Sequence, residues 1–316
     1  MDQFEHRREL IDSEIDSALS GAKVVAVAGR GGLLKPLEGG TYQINDVMLS
    51  ELKAELSNYH ASNLGAFLAN YYARRYGVNS YIVDPVTVDE FTEVARLSGI
   101  PWIKRKCRSH TLNIKAVARR AADMLDINYE NARFVVAHLG GGTSIAALRE
   151  GRIVDVNDAL LGMGPYSPER AGALPIGPLI ERCFSGEGTK QELIVELTKH
   201  GGIAAYCGTS DIRTVLKMAE DGDNTAILAL DGMMYQNAKE IGAMATVLQG
   251  KVDAVIITGG IAYSEILMKK LESYVTYIAP ILIFPGEDEL KALAEGVFRV
   301  LDGIEEAKIY GDKKYI

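Results

Sequence analysis

Apolar positions along the chain switch between two rhythms, and the switches mark out helices and strands. Phe4, Ile11, Ile15 and Leu19 fall at helical spacing, so an amphipathic helix is expected there, with its charges turned outward. Lys23 to Ala28 reads as a buried strand ending in Gly29-Arg30-Gly31-Gly32. Helical patterns follow near 46–57 and 62–76, and Ser80 to Val83 is a strand stopped by Asp84-Pro85. Two further helices are expected near 88–98 and 112–126. From Asn131 the texture changes. Arg133 to His138, Ser144 to Arg149 and Arg152 to Val156 are short strands in close succession, which is an antiparallel meander. Helices near 190–199, 210–221 and 223–249, strands at 252–257 and 278–283, and a helix at 287–302 complete the pattern. A meander followed by alternating helices and strands gives a mixed sheet flanked by helices, an α/β architecture.

A length of 316 residues exceeds what one hydrophobic core usually fills, so two domains are expected, 1–130 and 131–316, with the last helix able to cross back. The cleft between two such domains is a natural site. Hydrophobic residues at 47% and charged residues at 24% describe an ordinary globular chain, and a net charge of -8 argues against a nucleic-acid partner. Lys104, Arg105, Lys106 and Arg108 form the one basic cluster, read either as a solvated loop or as an anion-attracting rim. Cys107, Cys183 and Cys207 are odd in number and lack metal-ligand spacing, which excludes a disulfide framework and suits a reducing cytoplasm. No apolar run has the length of a membrane span or the form of a secretory signal.

The chemistry concentrates at Phe134 to Ser144, where an apolar strand delivers Gly140, Gly141 and Gly142 followed by Thr143 and Ser144. Successive residues without Cβ let backbone N–H groups approach an anion closely, so phosphate is the expected guest. Ile256-Ile257-Thr258-Gly259-Gly260-Ile261 repeats the device, which suggests a nucleotide held at two places. A dinucleotide-binding reading is disfavoured: Gly29-Arg30-Gly31-Gly32-Leu33-Leu34 lacks the third glycine of G-x-G-x-x-G, and the main glycine turn opens a meander.

Several segments together resemble the butyrate kinases of the actin, sugar-kinase and acetate-kinase superfamily. They are Gly29-Arg30-Gly31-Gly32-Leu33-Leu34-Lys35-Pro36, His60-Ala61-Ser62-Asn63-Leu64-Gly65, Ile82-Val83-Asp84-Pro85, Ala137-His138-Leu139-Gly140-Gly141-Gly142 and Ser167-Pro168-Glu169-Arg170. The resemblance implies two ribonuclease-H-like domains closing on a nucleotide. It implies transfer of the γ-phosphoryl group of ATP, with Mg2+, to butanoate, giving butanoyl phosphate and ADP. A carboxylate is already ionised at neutral pH, so such an enzyme needs positioned charge and donors, with no general base.

By the same resemblance, Arg30, His110 and Asp84 are the catalytic residues, while His60, Asn63 and Arg170 face the acid. His138, Leu139, Gly140, Gly141 and Gly142 match the phosphate turn, Asp211, Ile212 and Arg213 the element beside adenosine, and Gly259, Gly260 and Ile261 the adenine turn. Glu287, Asp288 and Glu289 are candidates for Mg2+, although carboxylates also suit a helix start for structural reasons. For the element beside adenosine, a helix N-cap by Ser210 is the competing reading. Related kinases form at least dimers, so a homo-oligomer in the cytoplasm is implied.

The family's additional N-terminal segment, with an Asn-Pro-Gly-Ser-like phosphate turn, has no counterpart here. The first domain is therefore expected to be incomplete at its N-terminus, with an exposed sheet edge. A branched-chain kinase acting on isobutyrate and an inactive nucleotide-binding remnant are the alternatives, with a chaperone-like ATPase behind them.

Overall fold

The computed structural model describes residues 2–54 and 62–312. In chain order the elements are α1 (Asp2–Leu19), β1 (Ala26–Gly29), β2 (Thr41–Gln43), α2 (Asp46–Ala54), α3 (Asn63–Tyr76), β3 (Asn79–Val83) and α4 (Thr111–Met124). Next come β4 (Arg133–Leu139), β5 (Thr143–Arg149), β6 (Arg152–Val156), α5 (Ile176–Phe184), α6 (Lys190–Lys199), α7 (Ile203–Cys207), α8 (Ile212–Glu220) and α9 (Asn224–Val247). The last are β7 (Ala254–Gly259), α10 (Glu265–Val275), β8 (Ile281–Pro285), α11 (Glu289–Leu301) and β9 (Lys308–Ile309).

The chain divides into two compact units, one formed by Met1–Asp89 with Asp288–Ile316 and the other by Glu90–Glu287. The first division falls after residue 89, not between the expected domains 1–130 and 131–316. Helix α4 packs on β4 and β7, so the residues from 90 to 130 share the second core. The expected helix at 88–98 is absent as well. That segment is a series of turns pinned to β6 by Thr92 N–H donating to Val154 O at 3.2 Å.

The first unit has a mixed sheet in the order β1-β3-β2-β9, with β1 parallel to β3, β2 antiparallel to β3, and β9 parallel to β2. Tyr42, Met48, Leu52 and Ile82 are fully buried at its core. Strand β1 and α3 approach backbone to backbone because Gly29 and Gly65 face each other; a Cβ on Gly29 would overlap the Gly65 carbonyl. Helix α11 packs on β1 and β3 of this sheet.

The second unit has a five-stranded mixed sheet in the order β6-β5-β4-β7-β8, the ribonuclease-H-like arrangement expected from the sequence. The meander β4-β5-β6 is antiparallel, and β7 and β8 add in parallel. Central strand β4 is buried on both faces, which is why it reads as a near-continuous apolar run. Its odd positions Val135, Ala137 and Leu139 join the core under α9, while Phe134 and Val136 join the core that α4 supplies with Ile114, Val117 and Ala118. Strand alternation therefore puts His138, and its cross-strand neighbour Ser144, on the α4 face.

Candidate active site

Where β4 ends, Gly140 N–H donates to Gly142 O at 3.0 Å and closes the glycine turn. Ser167 Oγ donates to Gly141 O at 2.7 Å and ties the turn to the segment after β6. The parallel strand β7 ends at Gly259, whose φ of +91° and closeness to Leu139 both require glycine. Its absent Cβ lets the ends of β4 and β7 lie side by side.

A pocket of about 600 Å³ opens above these two turns. Gly140, Gly141, Asp211, Ile212, Arg213, Gly260 and Ile261 line it, so three segments singled out in the sequence meet at one place. His138, Leu139, Gly142 and Gly259 shape the turns and do not line it. Pro168 and Glu169, from the segment Ser167 to Arg170 singled out above, line it too, as do Leu216 and Tyr263, which carry no local signal. The N-cap of α8 is Asp211 and not Ser210: Asp211 Oδ1 accepts from Arg213 N–H at 3.1 Å. The Arg213 guanidinium also donates to that carboxylate, and these bonds hold it below the usual carboxylate range.

On the α4 face, two imidazoles stack with ring centres 3.9 Å apart and planes 12° from parallel. His110 stands at the N-terminus of α4, and its Nδ1 lies 2.8 Å from Ser144 Oγ. His138 is 1% exposed, and its Nδ1 lies 2.8 Å from Oδ1 of Asn113, in the first turn of α4. Asn113 was not foreseen; its spacing of three from His110 is the signal that could have found it.

His138 Nε2 points toward the Glu287 carboxylate, 3.5 Å from Oε1. Glu287 stands in the second unit at the glycine turn, whereas Glu289, in the first unit, is paired with Arg30. Asp288 has a φ of +42° at the start of α11. No group of three His, Cys, Asp or Glu side chains among the described residues is arranged to hold a metal. Mg2+ that keeps several waters and leans on substrate phosphates needs only one or two carboxylates, and Glu287 fits that demand.

Arg170 lies across the other side of the glycine turn. Its Nη1 donates to Ala159 O at 2.6 Å, and a Cβ on Gly142 would overlap Nη1. Burial works against its charge and pulls its pKa down, and Nε is buried without a hydrogen-bond partner among the described residues. Beside it opens a cavity of about 500 Å³, with walls including Leu160, Leu161, Met163, Pro165 and Leu174. Thr143, 3% exposed, also borders this cavity, and its buried hydroxyl has no hydrogen-bond partner among the described residues. An apolar chamber with a guanidinium at its edge suits a small organic anion with an apolar tail.

In the first unit, Arg30 follows β1 and pairs with Glu289. Asn63 is fully buried and accepts from Leu33 N–H through Oδ1 at 2.7 Å, so it holds the Arg30 loop in shape. Asp84, 4% exposed with a φ of +39°, accepts from Gly40 N–H at 2.7 Å and braces a turn. His60 lies outside the described residues. Of the basic cluster, Arg105 is neither solvated nor a rim: its guanidinium forks onto the Asp155 carboxylate at 2.7 and 3.2 Å.

The acetokinase family model matches residues 100–277. Butyrate kinase 2 of Clostridium acetobutylicum is 50% identical over 310 residues, which cover 98% of this chain and 87% of the relative. Among solved structures, Entamoeba histolytica acetate kinase superposes with a TM-score of 0.73 at 19% identity, over 93% of this chain and 85% of that one. Porphyromonas gingivalis acetate kinase gives 0.72 at 20% identity, over 87% and 77%. These two likenesses concern the fold, while the sequence match across nearly the whole chain concerns descent: the chain belongs to the acetokinase family.

Proposed function

We propose that this chain is a carboxylate kinase that transfers the γ-phosphoryl group of ATP to butanoate, giving butanoyl phosphate and ADP. The observation that carries the reading is the meeting of the glycine turn, the α8 start and the Gly260 turn around one pocket of nucleotide size. Membership of a family of short-chain acid kinases supports it from the side of descent.

In this reading Gly140 and Gly141 receive the phosphate chain, and Asp211 to Arg213 and Gly260 to Ile261 receive the nucleoside. His110 donates to the phosphoryl group in transit, and Arg170 faces the acid's carboxylate. Arg30 and Asp84 are assigned to the acid and phosphoryl side by family resemblance, with Arg30 exchanging Glu289 for an anionic ligand. Mg2+, held with the help of Glu287, would screen the charge of the phosphates. The acid's tail takes the cavity beside Arg170, which has room for a branched chain. One methyl group is worth about 1–3 kcal/mol in such a pocket, so straight and branched acids should differ modestly. The same reading carries a cytoplasmic homo-oligomer, at least a dimer. No helix among the described residues is long and apolar enough to cross a membrane.

The test uses an open position. A Cβ on Gly260 meets nothing within 4 Å among the described residues, so Gly260→Leu should fold normally and fill nucleotide space. Titration calorimetry with ADP and Mg2+ should show binding to the wild type and at least about tenfold weaker binding to Gly260→Leu, or about 1.4 kcal/mol. Hydroxamate trapping should show butanoate-dependent acyl phosphate. Equal ADP affinity in both proteins would remove the nucleotide from this pocket.

A further inference from the structure

The stacked histidines carry a second layer of organisation, because each ring's proton can be placed from the groups around it. Asn113 Nδ2 donates to the Glu287 carbonyl at 3.1 Å, and a carbonyl can only accept. The Asn113 amide is therefore oriented, with Oδ1 facing His138 Nδ1. An amide oxygen can only accept, so His138 carries a proton on Nδ1.

The proton on His110 follows by a different route. Ser144 is fully buried, and among the described residues its hydroxyl is bonded only to His110. It accepts from the His110 backbone N–H at 3.3 Å and lies 2.8 Å from His110 Nδ1. A buried hydroxyl that donates to nothing is costly, so its proton goes to Nδ1. Nδ1 is then an acceptor, and neutral His110 carries its proton on Nε2, the corner away from Ser144. That tautomer is what a donor to a phosphoryl oxygen needs.

We propose that Asn113 and His138 are positioning residues for His110. Asn113 fixes the His138 ring through the Nδ1 proton, and the His138 ring is the plate against which His110 stacks with its Nε2–H directed away from Ser144. The arrangement resembles the outer partners of metal-bound histidines, which set tautomer and ring angle without touching the reacting group. His138 cannot turn without breaking its bond to Asn113, and Asn113 cannot turn without losing the Glu287 carbonyl. The proposal rests on the reading of His110 as the donor to the phosphoryl group in transit, but the proton positions themselves do not depend on it.

The experiment is a long-range 1H–15N spectrum of the uniformly 15N-labelled full chain, with the histidine signals assigned by His110→Ala and His138→Gln. The wild type should show His138 protonated on Nδ1 and His110 on Nε2. Asn113→Ala should spread the His138 proton over both nitrogens and lower kcat at least about tenfold, with KM for ATP unchanged within about twofold. Asn113→Asp keeps an oxygen toward Nδ1 and should retain the Nδ1 proton. A wild-type spectrum with His138 protonated on Nε2 alone overturns the proposal, whether or not any variant folds. So does an Asn113→Ala protein with wild-type kcat. Absence of acyl phosphate formation by the wild type would instead count against the kinase reading, leaving the spectrum to decide the tautomers.

Discussion

Two glycines at the site forbid a side chain for different reasons, and alanine at each should produce opposite phenotypes. A Cβ on Gly142 would overlap Arg170 Nη1 and lie 2.7 Å from Cζ, the far end of a flexible side chain. Swinging the guanidinium away relieves the overlap at the cost of the Nη1 bond to Ala159 O. A bond from a charged donor contributes about 1.5–3 kcal/mol, so Gly142→Ala should lose no more stability than that. Its rate should suffer more. Losing one fixed donor from a reaction centre costs about 10²–10³ in kcat, or about 2.7–4 kcal/mol. A Cβ on Gly259 would instead overlap the Leu139 carbonyl oxygen and lie 2.7 and 2.8 Å from Leu139 C and N. None of those atoms can move without parting β4 from β7, and the φ of +91° adds about 1–3 kcal/mol of backbone strain. Urea unfolding, ADP calorimetry and hydroxamate-trapped turnover should therefore find Gly142→Ala folded, binding ADP and slow, and Gly259→Ala destabilised by more than about 3 kcal/mol. A Gly142→Ala protein with wild-type kcat, or one whose ADP affinity falls in step with kcat, would refute the placement of Arg170 on the acid side of the turn.

Other perturbations have equally definite outcomes. Lys115 and Glu90, 3% and 5% exposed, pair at 2.8 Å, and Glu90 Oε2 also accepts from Ile153 N–H. Lys115→Met should cost about 3–5 kcal/mol in urea unfolding by stranding a buried carboxylate, and adding Glu90→Gln should recover most of it. Burial pushes the Tyr166 phenol up to about 12, and its hydroxyl donates to Ala229 O at 2.6 Å. Its stabilisation should be complete below the unfolded value near 10 and fade as pH rises through about 12. Tyr166→Phe should flatten that alkaline fall in melting temperature; an unchanged slope would assign it to other groups.

Strong local patterns in the sequence map directly onto the structure. The run from Phe134 to Ser144 is strand, glycine turn and strand because an unbroken apolar stretch meets residues that only a tight turn tolerates. The segment at 88–98 misled because Phe91 and Ala95 are buried at helical spacing, yet Val94 and Leu97 are 79% and 69% exposed. What holds those turns is a backbone bond from Thr92 to Val154 in β6 and the Arg105–Asp155 fork, partners roughly 50 to 60 residues apart that no local pattern reports. Strands β2 and β9 are too short to show a period and exist through their pairing. Helix α10 was legible and overlooked: Ser264 caps it, and Leu267, Met268, Leu271 and Val275 form its buried stripe. At the site, glycines and charged residues were visible as types. The tie from Asn113 to His138 and the chamber beside Arg170 came into view only with the fold, since both depend on which faces of β4 and α4 meet.

The chain leaves the first unit at Asp89 and returns at Asp288, so the second unit is an insertion within the first. During synthesis the second unit emerges as one uninterrupted length and can close its sheet while its neighbour waits. The first unit lacks α11 and β9 until the last part of the chain is made, and with them the Tyr310 hydroxyl that donates to Glu51 at 2.6 Å. Its sheet therefore needs loop closure across some 265 residues, which slows folding unless the intervening part has already become compact. A lesion confined to the second unit would then reach the first through assembly order, before any ligand is involved.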